Sequence, residues 1–136
     1  MNLDSYTPGH IDSFLLNYKI FVEDLAELAS DWPTLDAEQR NDQQAVFVQV
    51  WGNRHVLGEL YQVHRLTSAQ NEQLAQLDQR LLEQAALMEQ CFGFELAQVL
   101  AIFYWGSPLA QSAQPVHIQT NAVSLQHLAQ ALAPIV

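Results

Sequence analysis

The chain has 136 residues, of which 49% are hydrophobic and 15% charged, so it is long enough to enclose the core of one folded domain. Its 5 Lys+Arg against 15 Asp+Glu give a formal net charge of -10, which repels phosphate backbones and anionic membrane surfaces. We therefore expect no direct binding of nucleic acid. The N-terminus lacks a basic segment followed by an apolar run, and the longest charge-poor apolar run, 96–105, is about half of a membrane span. These features predict a cytoplasmic protein without a membrane span.

The first predicted helix covers about residues 8–30, after a loose arm at 1–6. Thr7 is a typical N-cap, and Pro8 suits the first helical position because its missing N–H has no partner there anyway. Apolar residues then recur at helical spacing. The pair Trp32-Pro33 is expected to end the helix, because the residue before a proline disfavours the helical region.

A second helix is predicted over about 36–66. Asp36 and Gln39 have the spacing of a capping box, in which each side chain binds the other residue's backbone N–H. The β-branched and aromatic run 46–51, followed by Gly52, also allows a hairpin. We favour a helix, with a kink at Gly52, because the capped stretch before it is helical and the apolar residues after it fit a helical face.

Thr67 and Gln70 form another capping-box signal, which starts a third helix over about 68–92. Its leucines make a narrow stripe of nearly heptad spacing. After Gly93 the chain is apolar nearly all round, which is typical of a buried helix. We place that helix at 94–105, either separate or continuous with the third, with a strand as the alternative.

The last predicted helix covers about 121–133, with Leu125, Leu128 and Leu132 on one face. The expected fold is therefore all-α, a four- to five-helix bundle-like single domain over 1–136 with neither repeats nor a domain linker. The final third, 96–136, contains no Asp, Glu, Lys or Arg. Either the first three helices cover it unusually well, or it is a contact surface; we favour self-association, because charge depletion is typical of interface cores.

Arg54 is the most informative polar residue, since it shares a path along the second helix with Trp51, Gly58 and Tyr61. An arginine on an apolar face needs solvent or a carboxylate partner. We expect a salt bridge to the first helix, with an anion-binding or partner-carboxylate site as the alternative. Gly52 and Gly58 would let another helix or a ligand approach closely. The carboxylates considered as partners are Glu23, Asp24 and Glu27.

His55 and Glu59 are four residues apart, so they share a helical face and could form a hydrogen bond or provide two metal ligands. Further ligands are missing, so no metal site and no cofactor is predicted. The lone Cys91 has apolar neighbours and is expected to be a small buried side chain. Because no nucleophile motif, phosphate loop or metal motif is present, we expect no enzymatic activity.

The leading hypothesis is a non-enzymatic protein–protein interaction module, an adaptor, assembly factor or regulator that forms a homo-oligomer through 96–136. One alternative is a small-molecule-binding bundle with an apolar pocket between the second and fourth helices, lined by Trp51, Tyr61, Phe103 and Trp105, with Arg54 holding an anionic group. Another is an acidic inhibitor of a nucleic-acid-binding protein. The predicted partner-binding residues are Arg54, Trp51, Tyr61, Trp105, Leu125, Leu128 and Leu132.

Overall fold

The computed structural model describes residues 3–111, and this part of the chain is a bundle of α-helices without strands. The prediction of an all-α bundle-like fold is confirmed. Short 3-10 turns occupy Leu3–Ser5, Trp32–Thr34 and Pro108–Gln111. The predicted helix 121–133 lies outside the described residues. The helices are α1 Pro8–Asp31, α2 Ala37–Gln62, α3 Ser68–Glu83, α4 Ala85–Phe92 and α5 Leu96–Trp105.

The helix starts lie where the capping residues predict them. The Thr7 side chain accepts the backbone N–H of the third residue of α1, and Asp36 and Thr67 do the same for α2 and α3. Gln39 and Gln70 reach back to the backbone N–H of their caps, at 3.0 and 2.9 Å. Because these bonds satisfy donors that a helix leaves free, the boundaries follow from local chemistry.

α2 is one continuous helix, so the hairpin alternative for 46–51 is wrong. The capped N-terminal turns continue through Gly52, and the buried side chains Phe47, Val50 and Leu57 recur at helical spacing. The predicted end near 66 was too late. His64 adopts a left-handed backbone conformation with φ 59°, which a helix does not tolerate, so α2 ends at Gln62.

The predicted third helix, 68–92, is divided in two. Gln84 has φ -106° and ψ 20°, outside the helical range, and separates α3 from α4. Its side-chain amide donates to the Val22 carbonyl at 3.1 Å, so the break ties this corner to α1. Gly93, with φ 63°, then ends α4 in the left-handed conformation that glycine adopts without strain. The strand alternative for 94–105 is wrong, because these residues form α5.

The helices surround one main core. α1 packs against α2, α3 and α4, and α5 packs against α2, α3 and α4. Cys91 is buried beside Ala29 and Trp32, as predicted for a small apolar side chain, and burial raises the pKa of its thiol. Among the fully enclosed core residues are Leu15, Val22, Leu25, Leu57, Leu60, Leu74, Leu81, Met88, Leu100 and Ile102.

Within residues 3–111, no single helix has both the length and the apolar content to cross a membrane. α4 and α5 satisfy those two criteria only as a pair, and the pair is bent by 116°.

Candidate functional site

The centre of the bundle contains a buried ion pair between Arg54 of α2 and Asp78 of α3. Nε and Nη2 of Arg54 donate to the two carboxylate oxygens of Asp78, at 2.8 and 2.6 Å. Both side chains are completely buried. The two parallel bonds use the planar guanidinium as a fork, which an ammonium group could not reproduce.

Three more groups complete this polar cluster. The hydroxyl of Tyr18 on α1 donates to Asp78 at 2.7 Å, and Ser107 Oγ donates to the same carboxylate at 2.6 Å. Nη2 of Arg54 also donates to the Gly106 carbonyl oxygen at 2.9 Å. One carboxylate therefore links α1, α2, α3 and the segment that follows α5. We call Tyr18, Arg54, Asp78, Gly106 and Ser107 the central polar cluster.

Burial and charge act strongly on the titratable groups of the cluster. Burial alone would lower the pKa of Arg54, but the Asp78 carboxylate and its hydrogen bonds raise it above the usual value. Burial raises the pKa of Tyr18 well above its ordinary range, and the negative charge of Asp78 raises it further. Arg54 is therefore cationic and Tyr18 is neutral at neutral pH.

The prediction that Arg54 meets a carboxylate is confirmed, but its predicted partners on α1 were wrong. Asp78 is the partner, and it lies within the leucine stripe of α3, between Leu77 and Leu81. A carboxylate on the buried apolar face of a helix is costly unless a cation pairs with it. The position of Asp78 among the buried leucines was therefore the sequence signal that a cation faces it. Tyr18 and Ser107 gave no such signal, because a tyrosine on an apolar face and a serine in a turn are both common.

α2 and the end of α5 make a close backbone contact beside the cluster. An ideal methyl group at Gly58 would lie 2.8 Å from the carbonyl oxygen of Trp105 and 2.9 Å from Nη1 of Arg54. Gly106 has φ 121° and lies directly against the Gly58 carbonyl, so α2 and the end of α5 touch through their backbones. The prediction of close approach is confirmed for Gly58 and wrong for Gly52, which faces open space.

The chemistry of the cluster is structural, because its bonds join helices to one another. Nη1 of Arg54 is buried without a protein hydrogen-bond partner, while the other guanidinium nitrogens bind Asp78 and Gly106. An anion would have to displace these groups to reach Arg54. What the arrangement does directly is to hold Gly106 and Ser107, which follow α5, against the centre of the bundle.

Next to the central polar cluster along the chain, α2 and α5 also share a surface of aromatic rings. Trp51 and Trp105 meet edge to face with centroids 5.4 Å apart, so two of the predicted site residues are in contact. His55 adds a ring 4.6 Å from that of Trp105, and its Nε2 lies 2.8 Å from a Glu59 oxygen. From Trp51 the ring contacts continue into the core through Phe94, Phe47, Phe92, Phe21 and Trp32, of which Phe21, Trp32 and Phe47 are buried.

The remaining predicted residues are not brought to this surface. Tyr61 and Phe103 are half-buried and pack against the main core. Leu125, Leu128 and Leu132 lie outside the described residues. Across 3–111, no group of three or more His, Cys, Asp or Glu side chains could hold a metal ion.

A second surface feature is a groove of about 330 Å³ between α1 and α2. Its apolar residues include Ile20 and Val46, which are 49% and 47% exposed. Two further exposed apolar side chains of the same helices, Leu16 and Val48, are 53% and 67% exposed and do not line it. The full lining is Asn17, Ile20, Phe21, Asp24, Leu28, Gln43, Val46, Gln49, Val50 and Asn53.

Comparisons of the chain with protein-family models, with curated proteins and with solved structures gave no match.

Proposed function

We propose that the protein is a non-enzymatic interaction module, an adaptor, assembly factor or regulator, that self-associates through its charge-free final third. The observation that carries the proposal is the uncharged surface of α5. Tyr104 is exposed there, and Phe103 and Trp105 are only half-buried. A helix that presents aromatic rings without any charged residue has the composition of an interface core.

The central polar cluster supports the same proposal by fixing Gly106 and Ser107, which lie within the charge-free region. Ser107 is bound to Asp78, and Gly106 is bound to Arg54, so the chain is held rigidly just after α5. A contact segment that leaves a rigid point loses less conformational freedom on binding than one on a loose linker. This fixed point supports a role for residues 112–136 in the proposed self-association.

The aromatic surface of α2 and α5 is the proposed docking area for a second protein. Trp51 and Trp105 are partly exposed, and His55 and Glu59 at their edge supply polar groups. Tryptophan is enriched among the residues that dominate binding energy at interfaces, and a polar rim around such rings is typical. The chemistry expected of that partner is an apolar or aromatic surface with few acidic groups, because like charges would oppose contact with this acidic chain.

The self-association can be tested by multi-angle light scattering on the full chain and on a variant that lacks residues 124–136. We expect a dimer for the full chain and a monomer after the deletion. The single change Leu128→Glu should act like the deletion, whereas Gln126→Glu adds the same charge to the same segment and should leave the dimer intact. A full chain that is monomeric at all concentrations, or a dimer that survives Leu128→Glu, would contradict the proposal.

A further inference from the structure

The groove between α1 and α2 is a partly apolar surface that the described fold leaves uncovered. Its aliphatic side chains Ile20 and Val46 are about half exposed, and Phe21 and Val50 form its buried side. Five of its ten lining residues are apolar and five are polar, and a groove that joins apolar side chains from two helices can accept the apolar face of a third helix. We propose that this groove binds the segment 121–133 of a second copy of the chain, in an inference that rests on the proposed self-association.

The charges of the groove fit an uncharged occupant. Asp24 is the one ionised group among the residues that line it, and the other polar positions are amides: Asn17, Gln43, Gln49 and Asn53. Amide side chains can donate and accept hydrogen bonds without imposing a charge. An acidic segment would be repelled by Asp24 and by the overall charge of -10, and the lining offers no cation to attract one.

Residues 112–136 have the chemistry that this groove requires. They contain no Asp, Glu, Lys or Arg, and they combine leucines with glutamines and asparagine. Leu125, Leu128 and Leu132 recur at spacings of three and four, the pattern by which a helix places anchors into a groove. A neutral segment also lets two acidic chains associate without bringing their carboxylates together.

The described chain ends on α3, and not beside the groove. The turn at Pro108–Gln111 packs on α3, whereas the groove lies on the α2 side of α1. Residues 112–120 reach at most roughly 30 Å when fully extended. A domain of this length has a radius of gyration of about 14 Å, so a route over its surface would use most of that reach. Exchange of the segment between two copies closes as a two-fold dimer, and the choice of a second copy rests on the proposed self-association.

Matched substitutions on α2 test the groove. Val46→Glu places a charge in its lining, and Val48→Glu places the same charge two residues away, outside the lining. Both parent side chains are substantially exposed, so both variants should fold, which circular dichroism would check. We expect Val46→Glu to weaken the dimer about 30-fold or more, as for a central interface residue, and Val48→Glu to change it by no more than about twofold.

A second pair on α1 provides the same comparison independently. Ile20→Glu should weaken the dimer, and Leu16→Glu should not, because Ile20 lines the groove and Leu16 does not. Equal dissociation constants within both pairs, measured by sedimentation equilibrium, would overturn the assignment of the groove.

Mixing two defective variants tests whether the segment is exchanged between copies. Val46→Glu keeps an intact segment, and Leu128→Glu keeps an intact groove, so each alone should be monomeric. In an equimolar mixture, one segment can still enter one groove, and we expect a heterodimer. A second measurement is the rate at which the cysteine of a Val46→Cys variant is alkylated, with and without the segment. If the mixture stays monomeric, and the segment protects this cysteine in a monomeric chain, docking occurs within one copy and the proposal of a second copy is wrong.

The outcomes separate this inference from the proposed function. If Leu128→Glu abolishes the dimer but Val46→Glu and Ile20→Glu behave like their controls, self-association stands and the groove is refuted. If the parent chain is monomeric and Leu128→Glu changes nothing, the proposed self-association itself fails.

Discussion

The central polar cluster makes a quantitative prediction about Asp78. Asp78→Asn keeps the shape of the side chain but removes its charge, so the guanidinium of Arg54 loses the anion that it contacts at 2.6 and 2.8 Å. Arg54 is completely buried, and a guanidinium group keeps its proton in proteins, so the side chain cannot become neutral to relieve the loss of Asp78. The substitution therefore leaves a cation uncompensated in the core.

The magnitude follows from the burial of the pair. Removing one partner of a buried ion pair lowers the free energy of unfolding by about 3–5 kcal/mol. The new amide N–H₂ also faces a donor, because all of the carboxylate's partners in the cluster donate to it. A domain is typically stable by about 5–15 kcal/mol, so the variant should lose a large share of its stability.

Urea unfolding followed by circular dichroism measures this change. With a typical dependence of about 1–3 kcal/mol per molar urea, a loss of 3 kcal/mol lowers the midpoint by about 1–3 M. Asp42→Asn on the exposed side of α2 is the control and should stay within about 0.5 kcal/mol of the parent. A loss below about 1 kcal/mol for Asp78→Asn would refute the view that this carboxylate compensates Arg54.

Three other predictions concern the same region. In a double-mutant cycle, Arg54→Met together with Asp78→Leu should destabilise less than the sum of the single changes, because no unpaired charge remains; additive effects would show that the two groups are not coupled. Gly58→Ala should lower the free energy of unfolding by about 1–3 kcal/mol, because the added methyl group meets the Trp105 carbonyl. Gly52→Ala is the control, and it should raise the free energy of unfolding by up to about 1 kcal/mol because Gly52 faces open space. Equal effects of the two changes in thermal unfolding would refute the close contact. Above about pH 10 an unfolded Tyr18 would ionise while the folded one keeps its proton, so stability should fall with pH by up to about 1.4 kcal/mol per unit, and Tyr18→Phe should remove that part of the slope. An unchanged alkaline slope in Tyr18→Phe would show that Tyr18 is free to ionise in the folded protein.

Local chemistry explains why the fold class could be predicted from the sequence. Thr7, Asp36 and Thr67 satisfy backbone donors within four residues of themselves, so the starts of α1, α2 and α3 needed no knowledge of the tertiary structure. The break at Gln84 could not be predicted in this way. Glutamine is a good helix former, and the residue leaves the helical range at a corner where its amide binds the Val22 carbonyl on α1.

The site was predicted only in part, for a related reason. The need of Arg54 for a carboxylate follows from its apolar surroundings, but the choice of Asp78 depends on how α2 and α3 pack around α5. The contact of Trp51 with Trp105 joins residues that are far apart in the chain, and only the position of α5 against α2 brings them together. Periodicity identifies the face of a helix that is buried, and it does not identify what that face meets.

Disulfide formation between two variants that each carry one added cysteine tests the exchange of residues 121–133 most directly. Val46→Cys on one copy and Leu128→Cys on the other would be mixed and oxidised, with the buried Cys91 present in both chains. We predict a covalent heterodimer on a non-reducing gel, and little product when Val48→Cys replaces Val46→Cys. Equal yields from the two mixtures, or no heterodimer from either, would contradict the account.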